Sequence, residues 1–348
     1  MRKKLHYHIC AGSNGRSSKA YTYSYGHIKN ITIHISQKGF SIDYDQAAKK
    51  DQSDFLNDLL IRDAIKKIEK IQLIQYGRMI GLDKLNVQID NVNVFQYRKE
   101  EGGEILYSLC GKKLDHKLKG SWNEHSYQRI LNTNKSKGNS LDAALDAFLI
   151  AKSKTYESEK FMYLWMSMNG MYNYIAETAA CFCNKTYTKE YEKLNLYGNF
   201  QKCGRYPFKP NNDDQARQLR IIRKLDSLLK NIDENNYIEI IAAIKNNDTK
   251  SHIESEIEEM ISALPESGKV KPYGLLLLNV PYFIRCKYLH GDKPLPLFSF
   301  ENEYPLTILK LLNYLIEDHI DEQLPSFLNE NNFENAIKPR IQELVTKQ

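Results

Sequence analysis

The chain has no apolar run long enough to cross a bilayer. Its longest, Leu275-Leu276-Leu277-Leu278, falls far short of the roughly 20 residues a spanning helix needs. Behind Met1-Arg2-Lys3-Lys4 come His6, Tyr7 and His8 rather than an apolar signal core. The expectation is therefore a cytoplasmic protein with no membrane partner. Cysteine is sparse: Cys10, Cys110, Cys181, Cys183, Cys203 and Cys286 are scattered over 348 residues, so reduced thiols rather than a disulfide framework are expected. Cys181-Phe182-Cys183 with Cys203 lacks both the CxxC spacing and an obvious fourth ligand, which argues against zinc. No metal and no cofactor are expected. The segment Gly12-Ser13-Asn14-Gly15-Arg16-Ser17-Ser18-Lys19 lacks the GxxxxGK[ST] spacing of a phosphate loop, which excludes that reading.

What the chain does have is an ordinary globular composition, 42% hydrophobic and 26% charged. Its length favours two domains over one. The formal charge of +6 suits a polyanionic partner, although many proteins without one share it.

The first 135 residues read as a mixed α/β domain. Ile31, Ile33 and Ile35 alternate with polar residues, the period of a half-buried strand, and Phe40 to Tyr44 resumes it after Gly39, as in a hairpin. Ser53 to Gly77 carries helical spacing, with Ser53 as a candidate N-cap. Leu85, Val87 and Ile89, then Val92 and Val94, alternate again. Asn132 to Asn139 is a polar linker. Residues 140–325 turn helical, with Ser140 as a candidate N-cap. Phe161, Trp165, Met168, Tyr172 and Ile175 form one continuous stripe on a helix from Glu159 to about Cys181. Residues 184–215, broken by Gly198, Gly204, Pro207 and Pro210, read as a loop excursion. Further helices are expected up to His290 and from about Pro305 to Glu322. Residues 326–348 are a polar tail or a short helix. The fold class is α+β: an N-terminal mixed domain followed by a helical bundle.

The chemistry sits in Pro281-Tyr282-Phe283-Ile284-Arg285-Cys286-Lys287-Tyr288-Leu289-His290-Gly291-Asp292-Lys293-Pro294. Gly291 stands where a left-handed cap closes a helix, and Pro294 prevents continuation, so His290 falls at a helix end. Histidine moves protons near neutral pH. Arginine offers a planar, permanently charged fork to phosphate. The pair is sufficient in principle for RNA phosphodiester cleavage, where the 2′-hydroxyl is the internal nucleophile. Five residues of helix separate them by about 140°, so fraying at Gly291 or the length of the arginine side chain would bring them together, and a two-fold partner offers another solution by setting a second pair opposite the first. A solvated arginine and a capping histidine would carry the same sequence.

The Arg-x4-His-Gly segment, with the upstream run Trp165-Met166-Ser167-Met168-Asn169-Gly170-Met171-Tyr172, resembles the HEPN superfamily (higher eukaryotes and prokaryotes nucleotide-binding domains). The likeness covers about residues 140–322 and leaves the first 135 unexplained. It implies a bundle of four or five helices and a metal-independent endoribonuclease, a hydrolase of the toxin or antiviral-defence kind. It also implies a homodimer with a composite cleft and, as a further partner, an antitoxin or regulatory protein. Carried over by position, Arg285 would stabilise the phosphate, His290 would act as acid or base, and Asn169 would line the cleft. Lys287 and Lys293 flank the motif as candidate RNA-binding residues. Cys286 stands where active members often carry Asn, Asp or His, which makes a catalytically silent module, binding nucleotide, nucleic acid or protein, the alternative. A structural dimerisation bundle serving a functional N-terminal domain is a third reading. Adenylate transfer to a tyrosine after the motif is not supported, since Gly291 and Asp292 follow His290.

Between Lys185 and Lys209, aromatics interleave with bases, and Arg205 and Tyr206 in this run are candidate RNA contacts. A tyrosine-rich surface is the plainer reading. His34-Ile35-Ser36 resembles half of a paired His-x-Ser phosphoesterase signature without its second half. His6 and His8 share one face of a strand with no evident carboxylate partner.

Overall fold

The computed structural model describes residues 4–12, 18–47, 59–77, 84–90, 92–98, 118–132, 140–183, 185–203, 212–246, 252–262, 271–289 and 306–347. The chain is mixed α+β and divides into two units, Met1–Asp142 with Leu324–Asn331, and Ala143–Gln323 with Asn332–Gln348. No helix among the described residues is long and apolar enough to cross a membrane.

The first unit is built on an antiparallel sheet of strands β1 (Lys4–Gly12), β2 (Lys19–Tyr25), β3 (Ile28–Ile35), β4 (Gly39–Ala47), β5 (Lys84–Ile89) and β6 (Val92–Arg98), in the order β2-β3-β4-β1-β5-β6. The expected hairpin is β3–β4, with Ile33 opposite Ile42 and Ile35 opposite Phe40. Period-two alternation explains the core: Tyr7, Ile9, Ile31, Ile33, Ile35, Phe40, Ile42 and Tyr44 are all 2% exposed or less, while the residues between them face the other way. Gly12 closes β1 opposite Gly39. Its φ is +67°, and a Cβ there would lie 2.1 Å from the Lys38 carbonyl oxygen, so only glycine fits.

Helix α1 (Leu59–Tyr76) buries residues on more than one side, Lys67, Glu69, Lys70 and Gln72 among them. The neighbouring helix α2 (Glu124–Asn132) covers part of it. Lys67 is therefore satisfied inside, by Asp63 at 2.8 Å and the Leu131 carbonyl at 2.6 Å, and Lys70 pairs with Asp142. Ser53, the expected N-cap of α1, lies outside the described residues, as do the linker residues 133–139. Helix α2 and strand β2 are not among the elements expected from the sequence. Asn123 caps α2, its Oδ1 accepting from the Ser126 backbone N–H at 3.1 Å.

Glu69 is 3% exposed. Its Oε2 has no hydrogen-bond partner among the described residues. Burial pushes its carboxyl up to about 8, only partly opposed by Lys66. Its folded value lies above its unfolded one, so its contribution is intact below about 4.5 and lost as the pH rises through about 8. Glu69→Gln should accordingly hold stability where the wild type falls. The gap in urea unfolding free energy should be near zero at pH 4.5 and open to about 2–4 kcal/mol by pH 8.5. A gap that stays constant with pH would rule this out.

The second unit is helical. It takes most of α3 (Ser140–Lys152), then α4 (Glu157–Ala180), α5 (Glu190–Phe200), α6 (Asn212–Leu229), α7 (Glu234–Asn246) and α8 (His252–Ser262). Next comes α9 over residues 272–289, and then α10 (Leu306–Leu328), of which residues 306–323 belong here. A terminal helix, α11, covers residues 330–346. Ser140 is the first helical residue of α3 rather than a residue before it.

One expectation is corrected and one alternative is decided. Residues 190–200 are helix, not loop. Gly198 is a poor helix former, but Leu194, Tyr197 and Phe200 recur at helical spacing and are 3% exposed or less, so packing outweighs propensity. Of the two readings of the last residues, tail or short helix, the helix holds: α10 continues to Leu328, and in α11 Phe333, Ile337 and Ile341 are buried.

Two lysines share one acid in this unit, the buried Lys152 and the half-buried Lys160, each 2.5 Å from Glu317. Asn313 ties α10 to the start of α4 through the Glu157 carbonyl at 2.8 Å.

Candidate functional site

Helix α4 carries the stripe read from its spacing, and Phe161, Trp165, Met168, Tyr172 and Ile175 are each 1% exposed or less. Trp165 packs against Tyr172 and Tyr282, ring centroids 6.2 and 6.3 Å apart. That contact joins α4 to α9. These rings are core, as their position in the stripe implies.

Helix α9 is continuous but not uniform. One α-turn, Pro272–Gly274, leads into a π-helical segment, Leu275–Asn279, and then an α-helix, Val280–Leu289. The widening sits just before Pro281, whose ring lacks an N–H and would collide with a carbonyl one turn back in a regular α-helix. Pro281 therefore neither starts the helix nor breaks it. Gly274 lets α9 approach Cys203, since a Cβ there would lie 2.5 Å from the Cys203 carbonyl oxygen. Leu275 to Leu278 are all 2% exposed or less, which makes the run of four leucines a core segment.

This packing places Arg285 beside the first turn of α5. Its Nη1 lies 3.2 Å from Glu190 Oε2, with the two side chains 17% and 27% exposed. The other Glu190 oxygen, Oε1, accepts the Tyr172 hydroxyl at 2.6 Å. Arg285 Nε is buried and has no hydrogen-bond partner among the described residues, and the same holds for Trp165 Nε1. Burial weighs against the guanidinium charge, but Glu190, and then Cys286, more than offset it and hold Arg285 above its usual value. Burial, reinforced by Glu190, pushes Tyr172 far up, so it remains a proton donor at every working pH. Cys286 is pushed up by burial, against hydrogen bonds from Arg285 and Tyr282. It is a neutral thiol rather than a thiolate.

Asn169 lies on α4, half-buried. Its Oδ1 accepts from Asn173 Nδ2 at 2.5 Å, and Asn173 Oδ1 in turn accepts from Lys193 Nζ at 2.8 Å. Among the described contacts Asn169 does not touch Arg285. The two belong to adjacent strings on the same α4–α5 seam, Asn169-Asn173-Lys193 and Tyr172-Glu190-Arg285. His290, Lys293, Arg205 and Tyr206 lie outside the described residues. Lys287 falls within α9, and its side chain is also outside what is described.

Glu190, Lys193 and Asn173 are the additions. Asn173 is one helical turn past Asn169, a spacing the sequence does show, whereas Glu190 and Lys193 fall in a stretch that reads as loop. The interleaved aromatics of that stretch are divided in use. Tyr197 and Phe200 are buried, with Arg340 4.6 Å over the Phe200 ring, whereas Lys189 lies 5.7 Å over the Tyr191 ring.

In the first unit, His6 and His8 do have carboxylate partners. The β1–β4 register sets His6 opposite Asp45 and His8 opposite Asp43. Their Nδ1 atoms lie 3.0 and 2.6 Å from those carboxylates. A pairing between strands so far apart in sequence is invisible to spacing. Among the described residues no group of three or more His, Cys, Asp or Glu is placed to hold a metal ion.

No family model matches the chain, and no curated protein and no solved structure matches it either.

Proposed function

We propose that this protein is a metal-independent endoribonuclease of HEPN type. In this reading Arg285 stabilises the phosphate and His290 shuttles the proton as the RNA 2′-hydroxyl attacks its own phosphodiester. Asn169, Lys287 and Lys293 line the approach, with Arg205 and Tyr206 as outer contacts. A homodimer would set two such motifs face to face, in a cytoplasmic toxin or antiviral effector held in check by an antitoxin or regulatory protein.

The observation that carries the reading is the setting of Arg285. It lies near the end of a helix, on a seam with the Trp165–Tyr172 stripe, and its guanidinium and the Tyr172 hydroxyl converge on one anion, the Glu190 carboxylate. Two donors converging on a single anionic group are what a phosphate site requires.

A second reading is a silent module that binds RNA without cutting it. The Arg285–Glu190 pair favours it, because a neutralised arginine stabilises developing charge less well. So does the neutral Cys286 beside it.

The test compares the purified full chain with His290→Ala on mixed tRNA and mRNA in EDTA, with solution mass measured in parallel. The expected result is cleavage by a dimer, leaving 2′,3′-cyclic phosphate ends, and lost in the variant. Binding without cleavage would establish the silent module. A chain that neither binds nor cuts RNA would overturn both.

A further inference from the structure

We propose that Glu190 is a resident stand-in for the substrate phosphate, so that an RNA phosphodiester binds by exchanging with its carboxylate. The inference rests on the reading of Arg285 as a phosphate-binding group. It adds three residues to the site, Glu190 as the displaced anion, Tyr172 as a second phosphate donor and Lys193 as a neighbouring cation.

Three features of the geometry lead there. First, the carboxylate is held as an anionic ligand is held. One oxygen takes the Tyr172 hydroxyl at 2.6 Å and the other faces Arg285 Nη1 at 3.2 Å. A phosphodiester also offers two oxygens on one centre, so both donors can be re-used without loss of a hydrogen bond. Tyr172 is held far above its ordinary value by burial and by Glu190, so it has a proton to donate whichever anion is present.

Second, the arginine is only partly used. Its contact with Glu190 is through Nη1 alone, and Nε is buried without a hydrogen-bond partner among the described residues. A structural salt bridge built for stability would be expected to engage the fork in bidentate fashion. A single-point contact is easier to exchange.

Third, the anion can leave. Glu190 sits in the first turn of α5, whose N-cap residue Lys189 makes no side-chain cap hydrogen bond. Its side chain keeps 27% exposure, against 17% for Arg285. Rotation toward solvent would take the carboxylate off a donor pair that stays in place. One turn along α5, Lys193 is tethered to Asn173 at 2.8 Å. That puts a second cation on the same seam, suited to a flanking phosphate of a single strand.

In the resting protein the site is therefore self-neutralised. A small anion competes poorly against an attached carboxylate, whose effective concentration is high. A polyanion, gripped at Arg285 and Lys193 together, competes better. That would favour RNA over free nucleotide.

The experiment uses the full chain with Glu190→Gln, which keeps shape and removes charge. Probes are a fluorescent 2′-O-methyl RNA oligonucleotide, which lacks the attacking hydroxyl and cannot be cut, and inorganic phosphate. Anisotropy should show Glu190→Gln binding the oligonucleotide on the order of tenfold more tightly than wild type. Adding Tyr172→Phe to it should reverse much of that gain. Phosphate should raise the melting temperature of Glu190→Gln more than that of wild type. Circular dichroism and solution mass report folding, and Glu190→Ala replaces the variant if it does not fold. Equal or weaker oligonucleotide binding by the charge-removed variant, with no added phosphate effect, would overturn the exchange and make Glu190 a support for Arg285. A phosphate effect without oligonucleotide binding in any form would leave the anion site standing and remove the RNA reading instead.

Discussion

Arg285→Ala should lower RNA cleavage by about 10²- to 10³-fold, the usual cost of removing one preorganised charge-stabilising group. The loss should fall mainly on kcat, because the guanidinium counts most when charge builds on the phosphate oxygens. Arg285→Lys should recover little of it. A lysine ammonium is a point charge and cannot reproduce the planar fork that faces Glu190 and, in the proposed exchange, a phosphate. Stability should change modestly in both variants. The partner, Glu190, is 27% exposed and keeps its hydrogen bond from Tyr172, so no unpaired charge is left deep in the core. Steady-state cleavage of a defined oligoribonucleotide, with thermal melting alongside, separates the two effects. Full activity in Arg285→Ala would eliminate the site as described. Activity lost together with a collapsed melting transition would assign Arg285 to the fold instead.

The second large effect is on acid stability and comes from His319. This residue on α10 is 1% exposed and lies between two tyrosine hydroxyls. Tyr197 is 2.8 Å from Nε2 and Tyr273 2.6 Å from Nδ1. A neutral imidazole satisfies both, accepting from one phenol and donating its N–H to the other. An imidazolium would have two donors and no acceptor. Burial, with a smaller contribution from Lys245, pushes His319 down to about 3. The folded value lies below the unfolded one of about 6.5. As the pH drops past about 6.5 the unfolded chain takes up a proton that the fold refuses, so stability falls at about 1.4 kcal/mol per pH unit toward pH 3. Between pH 6.5 and 4.5 this amounts to about 2–3 kcal/mol. His319→Gln keeps a donor and an acceptor and does not titrate. Its acid limb should be flatter by that amount in urea unfolding at pH 6.5, 5.5 and 4.5. Parallel limbs would show that the histidine is protonated inside the fold.

Much of the architecture could be read along the chain, and the reason is periodicity. The alternation at Ile31, Ile33 and Ile35 and the stripe through Phe161, Trp165, Met168, Tyr172 and Ile175 each settle which side faces the core, because burying apolar surface is the largest local term. Where a glycine or proline interrupts the period, the reading failed. Residues 190–200 read as loop because Gly198 falls among them and Gly204, Pro207 and Pro210 follow, yet they form a helix. There, contacts made by other elements outweigh the local preference, which carries only about 1 kcal/mol for a glycine.

The site divides along the same line. The chain itself determined a mixed first domain, a helical second one, and an arginine and a histidine five apart in sequence, since all of these are matters of local spacing. Only the tertiary structure decided that Arg285 and Tyr172 meet on Glu190, that Lys193 reaches Asn173, and that His6 and His8 face Asp45 and Asp43. Those groups are separated along the chain by intervals with no period, and what unites them is the register of strands and the packing of helices. Charge and hydrogen bonding act across a few ångströms of space, and sequence distance places no constraint on which groups come that close.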